Sequence, residues 1–311
     1  MERILILGAG PVGAWSARAL VEDGFRVTLV SRSGVPRIPL DPRAAIIAAD
    51  VTDRRRVVEL TARSDVVINA MNPPTYRRWR SQWPLMADSV LTAVQRHRLR
   101  YIIVGNLYAY GPVTAPMTEE TPLHPVGVHG TIRRVIWERA LAAHAEDRAR
   151  ICEIRSSDYL GPGAGPGSLA HLMVLSRARA GRRPLLVVGD PHAPHTFTDV
   201  RTVGALVSRL AREPWDSDVW GRPWHTPSDH PISLAEMAAH AAGADAASST
   251  ATPLRIPRWM LRAGALVHPD LRALRDIRYQ FDEPFIMDSD AAQKRFALSP
   301  PPVLRSIHQT T

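Results

Sequence analysis

The chain of 311 residues contains one cysteine, Cys152, and of its 39 basic residues only Lys294 is a lysine. A lone cysteine excludes an intrachain disulfide framework and a cysteine-rich zinc module. No apolar run is long enough to span a bilayer, and the apolar stretch at the N-terminus is too short for a signal peptide, so a cytoplasmic location without a membrane partner is expected. The net charge of +9 could suit nucleic acid. The arginines are scattered, however, and no nucleic-acid-binding motif occurs, so the charge leaves only a modest bias toward anionic small-molecule ligands. A hydrophobic content of 45% over this length can build one elaborated α/β domain, or a domain with an attached lobe.

What is present starts at once. Arg3-Ile-Leu-Ile-Leu7 reads as a buried strand running into Gly8-Ala-Gly10-Pro-Val-Gly13, where a helix opens. Between strand and helix these glycines have mechanical roles. Gly8 permits the tight turn, Gly10 lets backbone approach a pyrophosphate, and Gly13 allows close packing of helix on sheet, with Pro11 and Val12 opening the helix whose N-terminus faces the phosphates. The next strand, Arg26-Val-Thr-Leu-Val30, ends in Ser31-Arg32 with no carboxylate to repel a 2′-phosphate. Ser31 can donate to phosphate and Arg32 can pair with it, so NADP is expected over NAD.

Strands and helices then alternate: strands at 44–49, 65–70, 101–104 and 151–155, and helices from Asp53, over 81–97 and over 130–145. This is the pattern of an α/β fold, a Rossmann-type doubly wound parallel sheet, with a small C-terminal substrate lobe. Residues 1–155 form the expected NADP-binding domain, with 184–212 returning to it, and 156–183 with 213–311 form the lobe. There a glycine- and proline-rich loop precedes a helix over 168–180, and Ser233-Leu-Ala-Glu236 is a capping box.

The order of motifs resembles the extended and atypical short-chain dehydrogenases/reductases, which include nucleoside-diphosphate-sugar epimerases and dehydratases. The resemblance covers nearly the whole chain. It rests on Gly8-x-Gly10-x-x-Gly13, Asp50-Val51, Asn69-Ala70-Met71, Tyr110-Gly111-Pro112, Glu120-Thr-Pro122 and Arg155-x-x-x-Tyr159-x-Gly161-Pro162. It implies that Asp50 and Val51 contact adenine and that Ala70, Met71 and Asn72 border the cofactor ribose. It also implies a small-molecule substrate, and a homodimer built on the helices at 81–97 and 130–145.

The usual Tyr-x-x-x-Lys cannot exist here, because no tyrosine has a lysine four residues later. At the matching place stands His129-Gly-Thr-Ile-Arg133, and Asn106 replaces the helper serine. In one reading this is an oxidoreductase or epimerase acting on a hydroxyl or carbonyl: His129 transfers the proton, Arg133 keeps a positive charge beside the ribose, and Asn106 bonds the substrate oxygen. In another the cleft does non-redox isomerisation, dehydration or cyclisation with Tyr108, Tyr110, Glu120, Asp158 or Tyr159. In a third the chain senses a dinucleotide without catalysis. No metal site is expected from Asp190, His192, His195 and Asp199, whose spacing suits no zinc module. Trp79 and Trp83, after the Asn72-Pro-Pro turn, are candidates to wall an apolar pocket.

Overall fold

Alternation in the first strand decides which layer each helix covers. Leu5 and Leu7 belong to one apolar cluster, Ile4 and Ile6 to the other, so the sheet is buried on both faces. In the computed structural model, which describes residues 1–182, 189–243, 253–267 and 269–311, the chain runs β1 (Arg3–Leu7), α1 (Pro11–Glu22), β2 (Arg26–Ser31), β3 (Ala45–Ala48) and α2 (Arg54–Thr61). It continues β4 (Val66–Asn69), α3 (Trp79–His97), β5 (Arg100–Asn106), α4 (Gly127–Ala145) and β6 (Arg150–Ser156). These six strands pair in parallel in the order β3-β2-β1-β4-β5-β6, the doubly wound arrangement. Register carries Ser31, Asn69 and Asn106 to one edge of the sheet, Leu7 lying opposite both Val30 and Asn69.

After β6 the elements shorten: β7 (Asp158–Leu160), a π-helical turn (His171–Leu175), α5 (Ser176–Arg179), β8 (Phe197–Asp199), α6 (Val200–Ala211) and β9 (Pro223–His225). Then come α7 (Leu234–Ala242), α8 (Arg258–Val267), α9 (Pro269–Ile277), α10 (Tyr279–Asp282), α11 (Asp290–Phe296) and α12 (Val303–Gln309). β7 and β8 form a separate parallel pair. α6 packs against α1, its Gly204 lying against the Trp15 backbone. Asp199 caps it through Arg201 N–H, and the Ser233–Glu236 capping box starts α7 as its sequence suggests.

One expectation is corrected. β9, inside the stretch assigned to the lobe, is a seventh strand of the main sheet, its Trp224 opposite Ile154 of β6. Three residues beginning with proline carry too little periodicity to announce a strand, yet an edge tolerates a first-position proline. The helix expected over 168–180 is present as one helical run over 169–179, whose π-helical stretch leads straight into α5. Residues 183–188, part of the expected returning segment, lie outside the described residues.

Candidate active site

The glycine turn is shaped by what a side chain would strike. Gly8 has φ +111°, and a Cβ there would meet the Ala70 carbonyl oxygen at 2.5 Å; one on Gly13 would run into the carbonyl of Gly8. A Cβ on Gly10 would meet nothing within 4 Å. Gly10 is also the N-cap of α1, without a side-chain cap and without an acidic residue in the first turn. Free N–H donors and open space at a helix N-terminus are what a pyrophosphate needs. Ser31 turns its hydroxyl to the Val35 carbonyl at 3.4 Å, while Arg32 is exposed and makes no hydrogen bond or ion pair among the described residues. The Arg37 N–H donates to the Ala9 carbonyl at 3.1 Å, which brings a second exposed arginine beside the turn. Sequence reading missed Arg37, because only the fold of the loop after β2 places it there.

Across the cleft mouth, Asp50 accepts from Thr52 N–H at 2.9 Å and Oγ1 at 2.8 Å. These bonds, helped by the charge of Arg32, hold its carboxyl below the usual range. Val51 is buried beside it, Ala70 N–H donates to the Leu7 carbonyl, Met71 N–H donates to Asn69 Oδ1 at 3.2 Å, and Asn72 is exposed. These residues lie at one edge of the sheet, and the open glycine cradle at the N-terminus of α1 fits the diphosphate of a nicotinamide dinucleotide.

His129 and Arg133 stand one turn apart on α4, both buried. His129 Nε2 faces the Tyr76 carbonyl at 3.4 Å, and its ring lies edge-on to Tyr76 and Trp79, 5.1 and 5.3 Å between centroids. A carbonyl only accepts, so Nε2 carries the hydrogen and Nδ1 holds the lone pair. That Nδ1 is buried with no partner. Burial pushes the imidazole below its ordinary pKa, offset in part by the Tyr76 carbonyl and the charge of Asp276. Arg133 sits over Trp83 and Trp79, and its Nε and Nη1 are buried without a hydrogen-bond acceptor. Desolvation lowers its pKa too, against the pull of Glu153. Asn106, half-buried at the end of β5, accepts from Tyr108 N–H at 3.2 Å.

The wall over this pair is aromatic. Tyr76 stacks on Trp79 at 5.5 Å, Trp79 on Tyr108 at 5.9 Å, and the Tyr76 and Tyr108 hydroxyls bond each other at 2.7 Å. Burial pushes Tyr76 up to about 12 and Tyr108 well above the ordinary phenol. Tyr76, in a short 3-10 turn before α3, belongs to no motif that sequence reading could single out. Trp79 and Trp83 also clamp Arg133 between their rings.

The other candidates go elsewhere. Tyr110 is buried with its hydroxyl held by His225 Nε2 at 2.6 Å and Arg155 Nη1 at 2.8 Å, and Arg155 Nε in turn donates to Glu153 at 2.7 Å. Burial pushes the Tyr110 phenol up to about 12. Its partners are thus His225 and Arg155, apart from His129 and Arg133. Glu120 is exposed, and Tyr159 is half-buried with its phenol raised by burial. Asp158 accepts from His195 Nε2 at 2.9 Å. His195 therefore serves Asp158, Asp199 caps α6, and Asp190 accepts from His192 N–H.

Residues 4–219 match the model of the NAD dependent epimerase/dehydratase family. No curated protein sequence matches the chain. Among solved structures it is similar to a putative epimerase from Burkholderia cenocepacia J2315 (19% identity, 99% of this chain and 96% of that one, TM-score 0.76). It is similar also to the UDP-glucuronic acid 4-epimerase of Bacillus cereus in complex with UDP-glucuronic acid and NAD (15%, 99% and 97%, 0.78). A third is the dTDP-glucose 4,6-dehydratase of Bacillus anthracis str. Ames in complex with NAD (15%, 100% and 95%, 0.78). At such identities these structures speak for the fold, and the family model, covering more than half of the chain, speaks for membership. The chain belongs to the NAD-dependent epimerase/dehydratase family of enzymes, the extended short-chain dehydrogenases/reductases.

Proposed function

We propose that this enzyme is an NADP-dependent oxidoreductase or epimerase acting on a hydroxyl or carbonyl of a small metabolite, with His129, Arg133 and Asn106 in place of the family's usual trio. One observation carries the reading: His129 Nδ1 and Arg133 Nε and Nη1 are buried without hydrogen-bond partners on successive turns of α4, and the resemblance would put them at the family's tyrosine and lysine positions. Unsatisfied buried polar groups cost stability and persist where a ligand completes them.

Gly8, Gly10 and Gly13 with the N-terminus of α1 would hold the pyrophosphate, Asp50 and Val51 the adenine side, and Ala70, Met71 and Asn72 the ribose. Arg32, helped by Arg37, would pair with the 2′-phosphate. That preference is argued from these side chains alone, since the two complexes named above hold NAD. The dinucleotide supplies or accepts hydride when bound. His129 Nδ1, its tautomer set by the Tyr76 carbonyl, takes the proton from a substrate hydroxyl and returns it in the reverse direction. Arg133 keeps a fixed charge on the ribose side, and the Asn106 amide bonds the substrate oxygen. Oxidation of NADPH, followed at 340 nm with a panel of carbonyl compounds, tests this; no turnover with any of them would leave the non-redox reading, which Asp158, bonded to His195 beside the tyrosine cluster, favours.

The outer face of α3 and α4 leaves Leu85, Val128 and Val135 exposed around an apolar groove of about 150 Å³. We propose that two copies pair there, which light scattering reads directly.

A further inference from the structure

Asp158 opens β7 two residues after β6 ends. Ser156, the last residue of β6, lies opposite Asn106 of β5, so Asp158 stands just beyond the carboxyl edge of the sheet, the side on which doubly wound folds bind ligands. Its side chain is 20% exposed, and its charge acts on Tyr76 and Tyr108 of the aromatic wall. Oδ1 accepts no hydrogen bond among the described residues; Oδ2 is the atom that meets His195.

His195 is closed in behind it. Its ring is buried, flat against Phe281 at 4.7 Å and beside Phe197 and Phe285 at 4.7 and 5.6 Å between centroids. Nδ1 faces the Gln280 carbonyl at 3.0 Å, and Nε2 faces Asp158 Oδ2 at 2.9 Å. The Gln280 oxygen can only accept, so Nδ1 carries a hydrogen, and a neutral ring would then turn the bare lone pair of Nε2 onto a carboxylate. Contact at 2.9 Å needs a hydrogen between the two. The pair therefore holds one proton, as imidazolium with carboxylate or as imidazole with carboxylic acid. The Ser157 hydroxyl lies 3.3 Å from Nε2 as well. This is no serine–histidine–aspartate triad, because serine and aspartate meet the same nitrogen.

We propose that Asp158 is a second acid/base of the cleft, acting through Oδ1 on the carbon next to the substrate's carbonyl, with His195 the positioning residue that holds a proton against Oδ2. His129 and Asn106 are assigned to the reacting oxygen, which leaves a second base for the C–H bond that the carbonyl acidifies. Carboxylate Oδ1 takes that proton, the C–H electrons form a C=C bond, and the carbonyl π electrons move onto oxygen, giving the enolate. Return of the proton to carbon reverses the step. The substrate is neither oxidised nor reduced, and no co-reactant is needed. The assignment rests on the proposed function for the substrate class, a carbonyl compound, and not for hydride transfer.

Exchange in D2O tests this, with full-length protein, NADP and a panel of hydroxyacetone, dihydroxyacetone, 2-butanone and cyclohexanone followed by proton NMR. Deuterium should enter beside the carbonyl of at least one compound faster than in buffer, and Asp158→Asn should slow that exchange by about 10²–10⁴-fold. His195→Gln can still donate to Oδ2 but brings no positive charge. It should lower kcat at unchanged KM and move the acid limb of exchange to higher pH, because a carboxyl without its cationic partner ionises later. The other groups on which the Asp158 charge acts are the Tyr76, Tyr108 and Tyr159 phenols, all raised by burial and neutral in that range. Should either variant fail to fold, the parent labelled with 15N-histidine decides: a far-downfield proton bridging Nε2 of His195, assigned through its contacts with Phe281, supports the pair, and its absence overturns it. No exchange with any compound, or exchange undiminished in Asp158→Asn, would also overturn the proposal. Exchange without any NADPH oxidation would remove hydride transfer alone and leave Asp158 in its role.

Discussion

The guanidinium carbon of Arg133 lies 4.4 Å from the centre of the Trp83 ring, close enough for a cation–π contact inside the protein. Such a contact is worth about 2 kcal/mol when desolvated, whereas taking a charge out of water costs several kcal/mol. The stacking does not offset the burial, and under the proposed function a bound dinucleotide would relieve the deficit.

Arg133→Met should therefore leave the cofactor-free protein as stable as the parent or more stable, by up to roughly 1–4 kcal/mol, while weakening dinucleotide binding. Urea denaturation with and without NADP measures both. A variant destabilised without cofactor would show that the aromatic sandwich satisfies the charge on its own.

His129→Phe keeps the edge contacts with Tyr76 and Trp79 and removes the proton acceptor. Turnover should fall by about 10²–10⁴-fold, with little change in dinucleotide affinity. Because burial depresses the imidazole pKa, the neutral base persists below pH 6.5, and alcohol oxidation by the parent should fail only as pH drops through that lowered value. An acid limb lying above pH 6.5 in a kcat/KM profile would point to a different group.

Arg32→Asp places a carboxylate where the 2′-phosphate is proposed to bind. NADP affinity should drop by about tenfold to a hundredfold, the worth of a hydrogen bond to a charged group, and NAD affinity far less. Equal losses for the two coenzymes, measured by fluorescence titration, would refute the phosphate contact.

Tyr110→Phe deprives Arg155 and His225 of a shared partner deep in the sheet. Stability should fall by about 1–3 kcal/mol, the cost of stranding buried polar groups, while kcat/KM of the folded enzyme stays within a few fold. Thermal unfolding beside steady-state kinetics separates this from a role in proton transfer, which would cost kcat directly.

Much of this protein is local in origin, and local features were legible. The glycines act through their own backbone and nearest neighbours, the strand alternation of Ile4, Leu5, Ile6 and Leu7 is a period of two, and the i, i+4 spacing of His129 and Arg133 holds on any helix. The resemblance to the extended short-chain dehydrogenases/reductases supplied the order of these parts, and the parallel sheet has that order. What stayed hidden depends on chain segments far apart. Tyr76 closes over His129 across 53 residues, and α9 brings Asp276 to the same imidazole from the far end of the chain.

The amino-acid sequence by itself determined a dinucleotide-type glycine turn, a doubly wound scaffold and the loss of the tyrosine–lysine pair, since each is written in residue type and short-range spacing. Only the tertiary structure decided that Tyr110 is tied into a buried network with Arg155 and His225 and that Trp79 and Trp83 clamp Arg133. Burial and partner choice are properties of packing among distant segments, and no local pattern encodes which distant side chain will stand opposite.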